Sequence, residues 1–118
     1  MPIEKPMPTF EQGDIVKVPF PYTDRDTRQR RPALVVSAGQ VGEDGALLWV
    51  VMITSAENRA WDGDVAIPDH AEVGLPAPSV IRPVKIATVE VRHVEAIGKV
   101  TAKTKEAVME RICAMAGI

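Results

Sequence analysis

The longest apolar run in this 118-residue chain is only Ala46 to Ile53, and turn-forming residues separate it from its neighbours. A bilayer span needs about 20 consecutive apolar residues, and a run this short is instead the length of a strand buried on both sides. The remaining pattern is of the same kind. Ile15, Val16, Val18 and Phe20 make a β-rich run that ends at Pro19-Phe20-Pro21, because proline cannot donate to a ladder. Residues 21 to 31 are polar and charged and read as a loop. Ala33 to Val36 is a short buried strand and Ala46 to Thr54 a longer one, with turn-rich Gly39 to Gly45 between them. Asp62-Gly63 favours a tight turn before Val65-Ala66-Ile67, and Pro68 to Pro78 reads as a loop. Ser79 to Val91 reads as a long strand in which Pro83 requires a bulge or an exposed edge, and Ala96 to Val100 as a last strand.

Only the C-terminus carries a helical period. Val108, Ile112 and Met115 fall at i, i+4 and i+7, flanked by Met109, Cys113 and Ala116. Thr101 or Thr104 is placed to cap the start and Gly117 the end. Short strands followed by one packing helix predict a mainly β fold, a small, strongly curved antiparallel sheet or partly open barrel. With 46% hydrophobic residues the chain supports one core, hence a single domain over 1–118, entered through an irregular proline-containing tail at 1–11.

Fourteen basic against sixteen acidic residues leave a net charge of −2, so any anion site must be local. The local excess lies in Lys17, Arg25, Arg28, Arg30 and Arg31, opposed there only by Asp24 and Asp26. One cysteine, Cys113, excludes an intrachain disulfide, and with His70 and His93 it offers no metal-ligand spacing, so neither metal nor cofactor is expected. The first residues, Met1 to Pro6, lack the apolar core of a signal peptide. A cytoplasmic protein with no membrane association is expected.

Four segments stand in a fixed order: Gly13-Asp14-Ile15-Val16, Arg31-Pro32-Ala33-Leu34-Val35-Val36-Ser37, Ile53-Thr54-Ser55 and Ser79-Val80-Ile81-Arg82. In that order and spacing they resemble the MazF/PemK toxins of bacterial toxin–antitoxin systems. The resemblance implies an SH3-like barrel with a C-terminal helix, a homodimer, metal-independent cleavage of single-stranded RNA at short sequences, and a small antitoxin partner. By position in the motifs it assigns cleavage to Arg31 and Thr54. Some relatives pair the arginine of the fourth segment with an acid two residues on, where this chain has Val84, so Arg82 is expected at most to bind phosphate. They also use a histidine in the loop after the first strand, and residues 21 to 31 contain none.

The residue chemistry is compatible with that assignment. Cleavage without a metal uses the neighbouring 2′-hydroxyl as nucleophile, and the growing charge on phosphorus must be met by fixed donors. A guanidinium is a planar, permanently charged fork matched to two phosphate oxygens, which makes Arg31 a clamp and not a base. Thr54, at the polar end of its apolar run, offers a hydroxyl donor, and Ser55 either shares that work or starts the loop. Arg25, Arg28 and Arg30 are read as contacts to RNA or to an acidic antitoxin. Asp24, Asp26, Glu57 and His70 are alternatives for the base. Trp49 reads as core, Trp61 as a loop residue able to stack on a base or a partner, His93 as surface and Cys113 as core.

Two other functions are compatible with the same fold. A gyrase-poisoning toxin of the CcdB type would end in Trp-Gly-Ile, whereas this chain ends in Ala116-Gly117-Ile118. A non-catalytic SH3-like binding module would leave Arg31 and Thr54 without a joint purpose.

Overall fold

A computed structural model of the protein describes residues 9–19 and 30–118. Most of the expected tail, together with Phe20, Asp24, Arg25, Asp26 and Arg28, lies outside the described residues. The strands are β1 (Asp14–Pro19), β2 (Arg30–Val35), β3 (Leu47–Ser55), β4 (Val65–Ala66), β5 (Ser79–Glu90) and β6 (Glu95–Lys99), followed by the helix α1 (Ala102–Ala116). They form one curled antiparallel sheet in the order β4-β5-β3-β2-β1-β6, the mainly β half-barrel with a C-terminal helix that the strand pattern predicts. Arg30 and Arg31, expected in the loop, instead open β2, paired with Pro19 and Val18 of β1.

Both faces of the sheet are covered, which explains why β2 and β3 read as continuous apolar runs rather than alternating ones. Ile15, Leu34, Val51, Ile53 and Ile81 face one cluster, closed by Val108 of α1 and by Ile67 and Leu75 from the connection after β4. Val16, Val18, Ala33, Val35, Leu48 and Val50 face the other, with Phe10, Val89 and Val91. Pro83 does mark a bulge. Val51 pairs with Ile86 but the next residue, Met52, pairs with Arg82, so Pro83, Val84 and Lys85 are looped out of the ladder.

Thr101 caps α1 by accepting a hydrogen bond from the Thr104 amide, and Gly117 ends the helix at φ 75, where a residue with a Cβ would be strained. The expected apolar stripe is only half used. Val108 is fully buried and Ile112 partly, but Met115, where the end of α1 meets Pro83 and Val84 of β5, is 53% exposed. The core assignment of Trp49 is overturned. It shares a face with Val51 and Ile53, which belong to the cluster closed by Val108, but Trp49 lies outside that cluster and remains 52% exposed opposite Thr88. Cys113 is half-buried rather than core. His93 lies at the surface beside Glu90, as expected.

One close approach shapes the site. A Cβ on Gly98 would collide with the Val73 carbonyl oxygen, so glycine is required in β6 for the 70–76 segment to seat against it. That seating brings Leu75 and Pro76 toward the start of β2.

Candidate functional site

Arg31 and Thr54 come from different strands and meet through register. Ala33 of β2 pairs with Met52 of β3, and the ladder stops there, one residue past Pro32, which has no N–H to give. Continuing the same register places Arg31 across from Thr54. Both line one cleft with Pro32, Ile53, Ser55 and Asn58, walled by Leu75, Pro76 and Ala77. A second hollow, lined by Lys17 and Arg30, shares Pro32, Leu75 and Pro76 with the first. The result is a groove that carries Lys17, Arg30 and Arg31 along the end of the sheet. Arg30 also faces Glu95 at 3.6 Å, with both side chains well exposed. An exposed pair of this kind contributes about 0–1 kcal/mol and gives way readily to a phosphate.

Thr54 is buried to 8% exposure, and its Oγ1 accepts a hydrogen bond of 2.7 Å from Asn58 Nδ2. Ser55 Oγ accepts from the Glu57 amide at 3.2 Å, so its hydroxyl oxygen serves the turn that leaves β3. Glu57 and His70 do not line the cleft. Asp24 and Asp26, like Arg25 and Arg28, fall outside the described residues.

Arg82 requires a correction. It is 5% exposed, donates through Nε and Nη2 to the two oxygens of Asp64 at 3.0 Å, and donates through Nη2 to the Arg59 carbonyl at 3.0 Å. Its guanidinium also lies 4.2 Å from the Trp61 ring centroid, and Lys85 stands 5.2 Å from the same ring. A fork already satisfied by a buried carboxylate is not a phosphate ligand. The Arg82 hydrogen bonds hold the Asp64 carboxyl below its ordinary pKa, and Asp64 in turn raises that of Arg82. Trp61, a loop residue able to stack on a base or a partner, packs against these two cations. The whole arrangement pins the β3–β4 loop, whose near end carries Asn58.

Reading the residues alone missed Asn58, the Leu75-Pro76-Ala77 wall and the Arg82–Asp64 pair. Asn58 is four residues past Thr54, but nothing in a polar loop distinguishes an asparagine that turns back from one that points to solvent.

The architecture is a curled half-barrel with a helix packed across one face, carrying an arginine and a strand-end hydroxyl in one cleft. The chain is matched over residues 11–116 by the family of PemK-like, MazF-like toxins of type II toxin–antitoxin systems, and it belongs to that family. Among solved structures it is similar to a MazE–MazF complex from Deinococcus radiodurans, with 22% identity, coverage of 93% of this chain and 97% of that one, and a TM-score of 0.72. An endoribonuclease from Mycobacterial species covers 97% of each chain at 18% identity and a TM-score of 0.70. A Mycobacterial endoribonuclease in complex with its cognate antitoxin covers 92% of this chain and 95% of that one, at 18% identity and a TM-score of 0.67. Among curated protein sequences none matches. No helix among the described residues is long and apolar enough to cross a membrane.

Proposed function

We propose that the protein is the toxin of a type II pair and acts in the cytoplasm as a sequence-selective endoribonuclease on single-stranded RNA. The observation that carries this reading is the convergence of Arg31 and Thr54 in one cleft from two strands. The 2′-oxygen attacks phosphorus and loses its proton, the P–O5′ bond breaks, and the leaving oxygen takes up a proton. The products are a 2′,3′-cyclic phosphate and a 5′-hydroxyl. Arg31 grips two non-bridging oxygens through the transition state, and the Thr54 hydroxyl donates to one of them. Lys17 and Arg30 hold a flanking phosphate in the adjoining hollow. Nothing in this scheme calls for a metal ion.

Purified protein should therefore cut single-stranded RNA in excess EDTA, leaving 5′-hydroxyl ends when the products are mapped. An acidic antitoxin segment added to the same assay should inhibit in competition with RNA, because its carboxylates would occupy the cationic groove. Loss of cleavage in EDTA with recovery on Mg²⁺, or 5′-phosphate ends, would overturn the mechanism.

The active form is proposed to be a homodimer. Among the described residues, the large apolar side chains left exposed are Trp49, Val84, Ile86, Met115 and Ile118. Ile86 stands opposite Val51, two residues from Trp49, and Val84 and Met115 line one groove between β5 and the end of α1. A patch of this kind marks an interaction surface. Light scattering should give the mass of two chains, and the double substitution Trp49→Lys with Ile86→Lys should give one. A wild-type monomer would remove the dimer, and a dimeric double variant would move the interface elsewhere.

A further inference from the structure

Asn58 has no part in the scheme above, yet its carboxamide contacts the hydroxyl on which that scheme depends. Its Nδ2 is 2.7 Å from Thr54 Oγ1, and both residues line the cleft that holds Arg31. A threonine hydroxyl has one proton to give and two lone pairs. With one lone pair taken by Asn58, the proton is turned away from the loop and toward the open cleft. A hydroxyl that accepts one hydrogen bond also donates the next more strongly.

The loop is built to keep Asn58 in place. Its amide donates to the Ser55 carbonyl at 3.1 Å, and the Ala56 amide donates to the Pro78 carbonyl at 3.0 Å. On its far side the Arg59 carbonyl is held by Arg82 at 3.0 Å, and the Trp61 amide donates to Asp64 at 2.9 Å. An exposed asparagine between two such anchors, with its side chain directed back to the preceding strand end, is held where a free loop would let it swing.

We infer that Asn58 is a positioning residue that aims the Thr54 hydroxyl proton at the RNA phosphate. The inference rests on the endoribonuclease reading and deepens it. Asn58 acts through Thr54 and does not itself touch the reacting atoms, so its effect should appear in turnover and vanish when Thr54 is gone.

The test is steady-state cleavage of a short RNA by wild type, Thr54→Ala, Asn58→Ala, the double variant and Asn58→Asp. Asn58 is exposed, so its substitutions leave the fold intact. Asn58→Ala should lower kcat about tenfold, the worth of one hydrogen bond, with KM little changed. In the Thr54→Ala background the same substitution should have no further effect. Asn58→Asp keeps the shape but removes the donor and captures the Thr54 proton, so kcat at neutral pH should fall about a hundredfold. Its activity relative to wild type should recover as pH falls toward the carboxylate range, where the introduced carboxyl group is protonated and donates again. If wild type fails to cut, or Thr54→Ala cuts normally, the endoribonuclease reading fails and this inference with it. If wild type and Thr54→Ala behave as expected, three results would overturn the role of Asn58 alone: normal turnover in Asn58→Ala, multiplied losses in the double variant, or an Asn58→Asp defect that ignores pH.

Discussion

Replacing Arg31 with lysine should reduce RNA cleavage on the order of a hundredfold while leaving thermal stability almost unchanged. The side chain is exposed at the start of β2, where a lysine of similar length fits without repacking the core. Lysine keeps the charge but presents a point donor in place of a planar fork, and removal of one preorganised oxyanion donor elsewhere costs about 10²–10³ in kcat. Cleavage rates measured beside circular-dichroism melts would separate chemistry from folding. A well-folded Arg31→Lys protein with near-full activity would mean that the second guanidinium contact contributes nothing. Thr54→Ser should keep part of the activity that Thr54→Ala loses.

The second large effect belongs to Asp64. Its side chain is 10% exposed and that of Arg82 is 7% exposed, so Asp64→Ala would leave a guanidinium buried without its carboxylate. Breaking a buried pair from one side costs about 3–5 kcal/mol, a fall in melting temperature on the order of 10 °C or more for a domain of this size. The joint substitution Asp64→Leu with Arg82→Met should recover part of that loss, since an apolar pair removes both desolvation costs but leaves the Trp61 amide and the Arg59 carbonyl without these partners. A drop below about 1 kcal/mol in Asp64→Ala would show that water reaches the pair. The pH dependence has a definite sign. The Arg82 hydrogen bonds depress the pKa of Asp64 in the folded state. Its contribution is therefore complete above the ordinary aspartate value of about 3.9 and is lost as pH falls through the depressed folded value. Acid unfolding should shift to higher pH in Asp64→Ala.

These two sites differ in how far the sequence exposes them. Arg31 and Thr54 stand at strand ends marked by local chemistry, a proline after the arginine and a change from apolar to polar after Ile53. The strands and the capped helix were legible for the same reason, because apolar runs, turn dipeptides and capping residues act over a few positions. Arg82 was misread because its partner lies 18 residues away, across a loop whose path no local pattern determines. Trp49 was misread because an apolar run does not reveal which of its residues the distant cluster around Val108 reaches. Pro83 announced an irregularity in β5 but not its size.

The size of that irregularity matters for the open side of the sheet. β5 pairs with β3 along its length, but on its other side β4 covers only Val80 and Ile81. Past the buried Arg82 and Pro83, β5 has no strand paired on that side among the described residues, and apolar Val84 and Ile86 stand exposed along it. A flat margin of that composition would template stacking of further strands into insoluble polymer. The three residues looped out at Pro83, Val84 and Lys85 kink it, remove an amide donor and set a cation on it. The bulge thus leaves β5 a poorer template for a further strand than a straight margin of the same composition would be.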